Sequence, residues 1–177
     1  MTKQPDIHHD FAAWTANKWA SLVPEADATS ASVAIRFIRT AEELAKSHNA
    51  TIKPYKEQGV ANIADFRILG LLRHLAGQGI ASNHIAQHLD FEPATVSTRL
   101  NRLEKHRHIH REPHPTNRRT HHITLNPASA PLVDSIYKAL IDNHTRFFNN
   151  LTTTEHQQLA TLLTHITSPR HAMPSVQ

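Results

Sequence analysis

The apolar residues of this chain keep a helical spacing almost throughout and change to strict alternation once, after Lys105. That change limits the fold more than any other feature. Upstream of it, Ile85, Ala86 and Leu89 form a short helical stripe that Asp90-Phe91-Glu92 interrupts, and a second helix opens with Pro93 at its first position. Downstream, Ile109-His110-Arg111-Glu112 and Thr120-His121-His122-Ile123-Thr124-Leu125 have the pattern of two strands. The Pro113-to-Arg119 segment between them contains Pro and Asn and no large apolar residue, so it is expected to be an exposed loop.

Residues 80–125 therefore lay out a helix-turn-helix followed by a basic ribbon. The second helix can be tested by angle, because each helical residue advances by about 100°. Leu100 and Leu103 fall within about 40° of Val96 and mark the buried side. Ala94, Thr95, Thr98, Asn101 and Arg102 point away from it, and Arg99 lies on the flank. Short polar side chains with an arginine suit a helix that enters a DNA major groove, where bulk would clash with bases and acid would repel phosphate. Thr95, Ser97, Thr98, Asn101 and Arg102 are the candidate DNA contacts on this helix. Arg118 and Arg119, on the loop, are placed for phosphate or an adjacent minor groove.

Charge supports the same conclusion. Between Pro93 and Leu125 seven Lys or Arg stand against two Glu, a local charge of +5, whereas the whole chain carries +4 and the remainder −1. A basic excess confined to one helix and one hairpin is an electrostatic footprint for phosphate.

Elsewhere the pattern is helical. Asp6 to Leu22 carries Phe11, Trp14, Lys18 and Leu22 near one face, with Trp19 to the side, a helix too short to stand alone. Val33, Phe37, Ala41 and Leu44 mark a second helix whose length suits a dimer crossing; Pro54 should kink or stop it and Gly59 should end the next turn. Ile63 to Leu75 is the expected central packing helix. Pro131 opens another that carries Leu132, Ile136, Leu140, Ile141 and Phe147-Phe148. Thr152-Thr153-Thr154-Glu155 is a capping box before Leu159, Leu162, Leu163 and Ile166. The tail from Pro169 is expected to fray.

The whole is expected to be mainly α: a winged helix-turn-helix with a small β-hairpin wing and long N- and C-terminal dimerisation helices. Its 177 residues fit one domain, divided into N-terminal helices (1–60), a winged helix (61–127), C-terminal helices (128–168) and a tail (169–177). A 39% hydrophobic content is lean for a monomer and fits burial across a dimer. The absence of Cys excludes disulfides, thiol nucleophiles and thiolate metal sites; with no signal-like or membrane-length apolar run, a cytoplasmic protein is expected. Four glycines, no phosphate loop, no nucleophile elbow and no convincing carboxylate pair argue against an enzyme, and no cofactor is expected.

The residues at the centre of this pattern resemble the MarR family of bacterial winged-helix regulators. The resemblance rests on Ala94-Thr95-Val96-Ser97-Thr98-Arg99-Leu100-Asn101-Arg102-Leu103-Glu104, on Arg111-Glu112-Pro113-His114-Pro115-Thr116-Asn117-Arg118-Arg119, and on Ile123-Thr124-Leu125-Asn126. Phe66-Arg67-Ile68-Leu69 upstream and Leu151-Thr152-Thr153-Thr154-Glu155 downstream extend it over roughly Ser30 to Thr167. It implies an obligate homodimer on a pseudo-palindromic operator, often released by a small aromatic ligand. His114 and Asn117 replace the acids that usually flank the wing arginines in the family, which makes the tip more attractive to DNA.

Within that resemblance, Trp19 and Arg99 are similar to two pocket residues of the urate-sensing branch. Arg67 stands where that branch has an acid, which favours an aromatic carboxylate or phenolate over urate. The alternative places Trp19 in a dimer core and Arg99 on a phosphate. Sixteen His raise a metal-responsive alternative: His84 and His88 stand one turn apart, and His108 and His110 share a strand face. No third ligand is fixed by spacing, so no metal residue is assigned. Six His lie between Pro93 and Leu125, where titration near neutrality would strengthen DNA binding as pH falls. The expected function is a sequence-specific transcriptional regulator, a repressor acting as a homodimer, with a winged-helix module that binds only protein as another alternative.

Overall fold

The computed structural model describes residues 10–23, 25, 27–113 and 121–167. In chain order these form α1 (Phe11–Leu22), α2 (Ala28–Ile52), a 3₁₀ helix (Lys53–Gln58), α3 (Ile63–His74), α4 (Ser82–Leu89), α5 (Pro93–Lys105), β1 (Ile109–Pro113), β2 (His121–Leu125), a 3₁₀ turn (Pro127–Ser129), α6 (Ala130–Phe147) and α7 (Thr153–Thr167). The architecture is the expected one, mainly helical with a single antiparallel hairpin. No helix among the described residues is long and apolar enough to cross a membrane. The tail expected to fray from Pro169 lies outside the described residues.

Local chemistry accounts for the boundaries. Pro54 does not stop the chain from coiling; it converts α2 into the tighter 3₁₀ turn, which Gly59 ends at φ +91°. Asn62 then caps α3, its side-chain oxygen accepting from the backbone N–H of Ala64 and of Asp65. The turn between α4 and α5 passes through Asp90 in the left-handed region (φ +53°) before Pro93 opens α5. The capping box forms as expected: Thr152 N–H and Oγ1–H donate to Glu155 Oε2, and Glu155 N–H donates to Thr152 Oγ1.

One continuous core runs through the molecule. Ile68, Leu69 and Leu72 of α3 meet Ile85 of α4, Val96, Leu100 and Leu103 of α5, and Ile109 and Ile123 of the hairpin. Ile52 at the end of α2 and Val133, Ile136 and Leu140 of α6 belong to the same cluster, so the packing does not stop at residues 61 and 127. Each large side chain buried here stabilises the fold by about 1.5–3 kcal/mol. The hairpin pairs Ile109 with Leu125 and Arg111 with Ile123. Ile80 adds a third strand position, exchanging backbone hydrogen bonds with Ile123 (3.1 and 2.9 Å).

The outer helices differ from the core. On α1 the buried residues are Ala12 and Ala16, packed toward α2, while Phe11, Trp19 and Leu22 are exposed. The face expected from Phe11, Trp14, Lys18 and Leu22 is thus not the one that packs within the chain, because two helices approach closely where side chains are small. Val33, Phe37 and Ile38 of α2 and Leu162 and Ile166 of α7 are likewise exposed, and no residue of α7 is buried.

Gly59 adopts a backbone angle that a side chain strains, and a Cβ built there would lie 2.4 Å from His106 Cγ. Gly59→Ala is expected to destabilise the protein by about 1–3 kcal/mol, read as a lower denaturant midpoint at unchanged slope.

Candidate nucleic-acid interface

Helix α5 is organised by its buried side. Val96, Leu100 and Leu103 are all at most 1% exposed, as the angular reading requires. Ala94, Ser97, Thr98 and Asn101 are exposed on the opposite side, and Thr95 is partly covered. The two most informative polar side chains are already oriented. Thr98 Oγ1 donates to the Ala94 carbonyl at 3.1 Å, which leaves its oxygen free to accept. Asn101 Oδ1 accepts from Arg111 Nη2 at 2.7 Å, which turns its amide N–H₂ outward as a donor. Arg111 also pairs with Glu104 (3.0 Å), so the exposed acid on this helix is neutralised by the wing strand beside it.

Arg99 and Arg102 behave differently from these polar residues. Both reach back to Asp65 of α3, a carboxylate with no solvent exposure. Asp65 Oδ1 accepts from Arg99 Nη1 at 3.2 Å and from Arg102 Nη2, and Oδ2 accepts from the Ala61 backbone N–H at 2.9 Å. Arg99 Nη1 donates as well to Asn62 Oδ1 at 2.8 Å. A buried ion is tolerated only when it is paired and hydrogen-bonded, and here both carboxylate oxygens accept donors. Two guanidiniums against one carboxylate leave a local charge of +1. The Nε of Arg99 and of Arg102 are buried without a hydrogen-bond partner.

These arginines form the floor of an open cleft of about 400 Å³ lined by Asn62, Ala94, Thr95, Thr98, Arg99 and Arg102. Neither Trp19 nor Arg67 lines it. Trp19 sits on α1, which packs on α2. Arg67 lies over the Phe91 ring (4.7 Å to its centroid) and donates to the Leu89 carbonyl at 2.9 Å; Arg99 stands 6.0 Å from the same ring. Within one chain, then, Arg99 and Arg67 share an aromatic neighbour, and Trp19 is elsewhere.

Other expected sites divide in the same way. Arg118 and Arg119, with His114 and Asn117, lie outside the described residues. Lys105 and Arg107 are exposed and form no ion pair among the described residues. His108 and His110 do not share a strand face. His108 precedes β1 and is buried, with Nδ1 2.9 Å from Ser129 Oγ and Nε2 donating to the Gln58 carbonyl, whereas His110 is exposed. Among the described residues no group of three or more His, Cys, Asp or Glu could hold a metal ion.

Asp65 and Asn62 are the functional residues that the pattern of the chain did not single out. The signal was present: Ile68, Leu69 and Leu72 stand three, four and seven residues after Asp65, so the acid lies on the buried face of α3.

Comparison with known proteins places this geometry. The sequence model of the MarR family matches residues 62–120. No curated protein matches the sequence closely enough to count as a relative. Among solved structures, the chain is similar to a cysteine-to-serine mutant of MarR from E. coli complexed with operator DNA (18% identity, 84% of this chain and 97% of that one, TM-score 0.67). It is similar to MepR from S. aureus in a DNA complex (22%, 77% and 97%, TM-score 0.67). CouR from Rhodococcus jostii RHA1 bound to p-coumaroyl-CoA is a third neighbour (17%, 80% and 95%, TM-score 0.63). Likeness at these identities establishes the fold.

Replacing both Arg99 and Arg102 by Ala leaves Asp65 buried without a counter-ion. The double variant is expected to lose about 3–5 kcal/mol in chemical denaturation, while Arg99→Ala alone, with Arg102 still in place, loses less than half as much.

Proposed function

We propose that this chain, whose residues 62–120 carry the MarR-family winged helix and whose fold is that of the family, is a sequence-specific DNA-binding transcriptional regulator. The observation that carries the proposal is the outward face of α5. Thr98 offers an acceptor and Asn101 a donor, both held in orientation, beside a ribbon whose arginine cancels the helix's own acid. A major-groove edge is read by complementary donors and acceptors, with phosphate contacts fixing the register. Thr95, Ser97, Thr98 and Asn101 are assigned to the groove. Lys105, Arg107, Arg118 and Arg119 are assigned to the backbone or an adjacent minor groove, and Arg102 is assigned to holding α5 against α3 as well as facing DNA.

The active form is proposed to be a homodimer built from residues 1–60 and 128–168, with residues 61–127 reading DNA. Exposed apolar side chains on α1, α2, α6 and α7 support this, because a soluble monomer seldom leaves so much apolar surface uncovered. Two such helices in successive grooves read half-sites about 34–36 Å apart. Binding across an operator in the cytoplasm acts as repression, and no catalytic step is involved.

Release is proposed to come from a small aromatic acid or phenolic anion in the cleft at Arg99. Support comes from the two arginines among its lining residues and from the cluster's residual positive charge. A neighbour with this fold was solved with p-coumaroyl-CoA. An anion there competes with Asp65 for the guanidiniums that hold α5, which couples occupancy to the position of the helix.

Selection of bound sites from random duplex, followed by anisotropy titrations, tests the proposal. Thr98→Ala and Asn101→Ala are each expected to cost about 1–3 kcal/mol and to relax base preference. Arg118→Ala should weaken all sequences alike and reduce the salt slope by about one. Binding to random duplex that is indifferent to salt overturns the DNA assignment. For the effector, aromatic acids should give calorimetric heat with the wild type and none with Arg99→Ala; equal heats remove the cleft as the site.

A further inference from the structure

Two imidazoles join α2 to α6. His48 Nε2 lies 2.8 Å from His144 Nε2, the rings are tilted by 57° with centroids 4.9 Å apart, and the neighbouring Ser47 Oγ–H donates to Asn143 Oδ1 at 3.1 Å. Both histidines are half-buried. A hydrogen bond between two Nε2 atoms needs one protonated and one bare nitrogen. If both rings carry two protons, two N–H groups and two positive charges face each other at a distance that allows neither.

We propose that His48 and His144 form an acid-sensitive latch between α2 and α6, closed while at least one ring is neutral and opened when both are protonated. The surroundings make the latch one-sided. Burial first, and His144 second, hold His48 below the ordinary imidazole range, and no carboxylate contributes to that shift. On α2, Glu43 and Lys46 are paired with each other, Arg36 is paired with Asp10, Arg39 lies over the Phe11 ring, and the exposed Glu42 does not contribute to the His48 shift. On α6, Lys138 is paired with Asp142, and Arg146 adds a further positive charge near the end of the helix. α1 brings only Lys18, and the 3₁₀ turn brings Lys53, Lys56 and Glu57. On α3, Asp65 is occupied by two arginines, Arg73 by Asp134, and His74 stacks on Tyr137. None of these groups supplies a counter-charge that would hold the doubly protonated pair together.

The position of the latch determines what it releases. Val133, Ile136 and Leu140 fix the first half of α6 in the core, and Arg73 ties the same half to α3. Past His144 the chain has only the half-buried Phe147 and Phe148 and then α7, which has no buried residue. Opening therefore frees the second half of α6, and the α7 that follows it, to move relative to α2 and leaves the winged helix intact. This inference does not depend on DNA binding. Because the folded protein binds fewer protons at His48 than the unfolded chain, the pair's contribution to stability is present above the ordinary imidazole value of 6.5 and is lost as pH falls below it.

The test is heat denaturation of the full chain from about pH 7.5 to about pH 5.5, for the wild type and for His48→Gln and His144→Gln, whose amides can hydrogen-bond without titrating. The wild-type midpoint is expected to fall by about 2–4 °C more than that of either variant over this range. Equal falls overturn the latch. A second measurement needs no variant: in an NMR titration of the wild type, His48 is expected to titrate below the ordinary imidazole value. Titration of His48 at the ordinary imidazole value also overturns it.

Discussion

The burial of the Asp65 carboxylate is the interaction on which the rest depends. An isolated charge in the interior costs several kcal/mol, so the fold must supply donors to both oxygens. Those donors come from the α3 N-terminal segment and from two residues a helical turn apart on α5. The charge thereby fixes how α5 lies on α3, in both rotation and height. Apolar packing by Val96, Leu100 and Leu103 sets which side of α5 is inward. Apolar contact alone tolerates sliding; a charge held by directional hydrogen bonds does not. Because the clamp runs from α3 to α5 without passing through α4, the helix that presents Thr98 and Asn101 is referenced to the core directly.

Much of this was legible in the order of residues. The inward side of α5 followed from three apolar positions and an angle. The hairpin followed from a change of period, the end of the 3₁₀ turn from Gly59, and the start of α7 from a capping box. Each of these signals is local, in that the cause and the structure it makes lie within a few residues. What was not legible depended on partners far away in sequence. The meaning of Asp65 needs Arg99 and Arg102, 34 and 37 residues later. The strand position of Ile80 needs Ile123. The contact of His48 with His144 needs the whole intervening winged helix. Periodicity states that a face is apolar but not what covers it: within the chain α1 packs through Ala12 and Ala16, which the aromatic stripe does not reveal.

The division of histidines into buried and exposed sets follows the same logic. Spacing alone paired His108 with His110, yet the first closes a hydrogen-bonded junction between the 3₁₀ turn after α2, the base of the hairpin and the turn before α6, while the second faces solvent. A histidine-rich composition is therefore several different devices in one molecule. His108 fastens a joint, and the α2–α6 pair can open one. His110 and His121 on the hairpin face solvent.

The hairpin has a further consequence for how the protein behaves in a crowded cell. β2 is flanked on both sides, by β1 and by the Ile80 bridge, so β1 is the free edge of the ribbon. An uncovered edge invites a strand from another molecule to add on. Here its exposed residues are His110, Glu112 and Pro113, two polar side chains, one of them charged, and a residue with no N–H to donate. A free edge of this kind is thus chemically protected against templating its own aggregation.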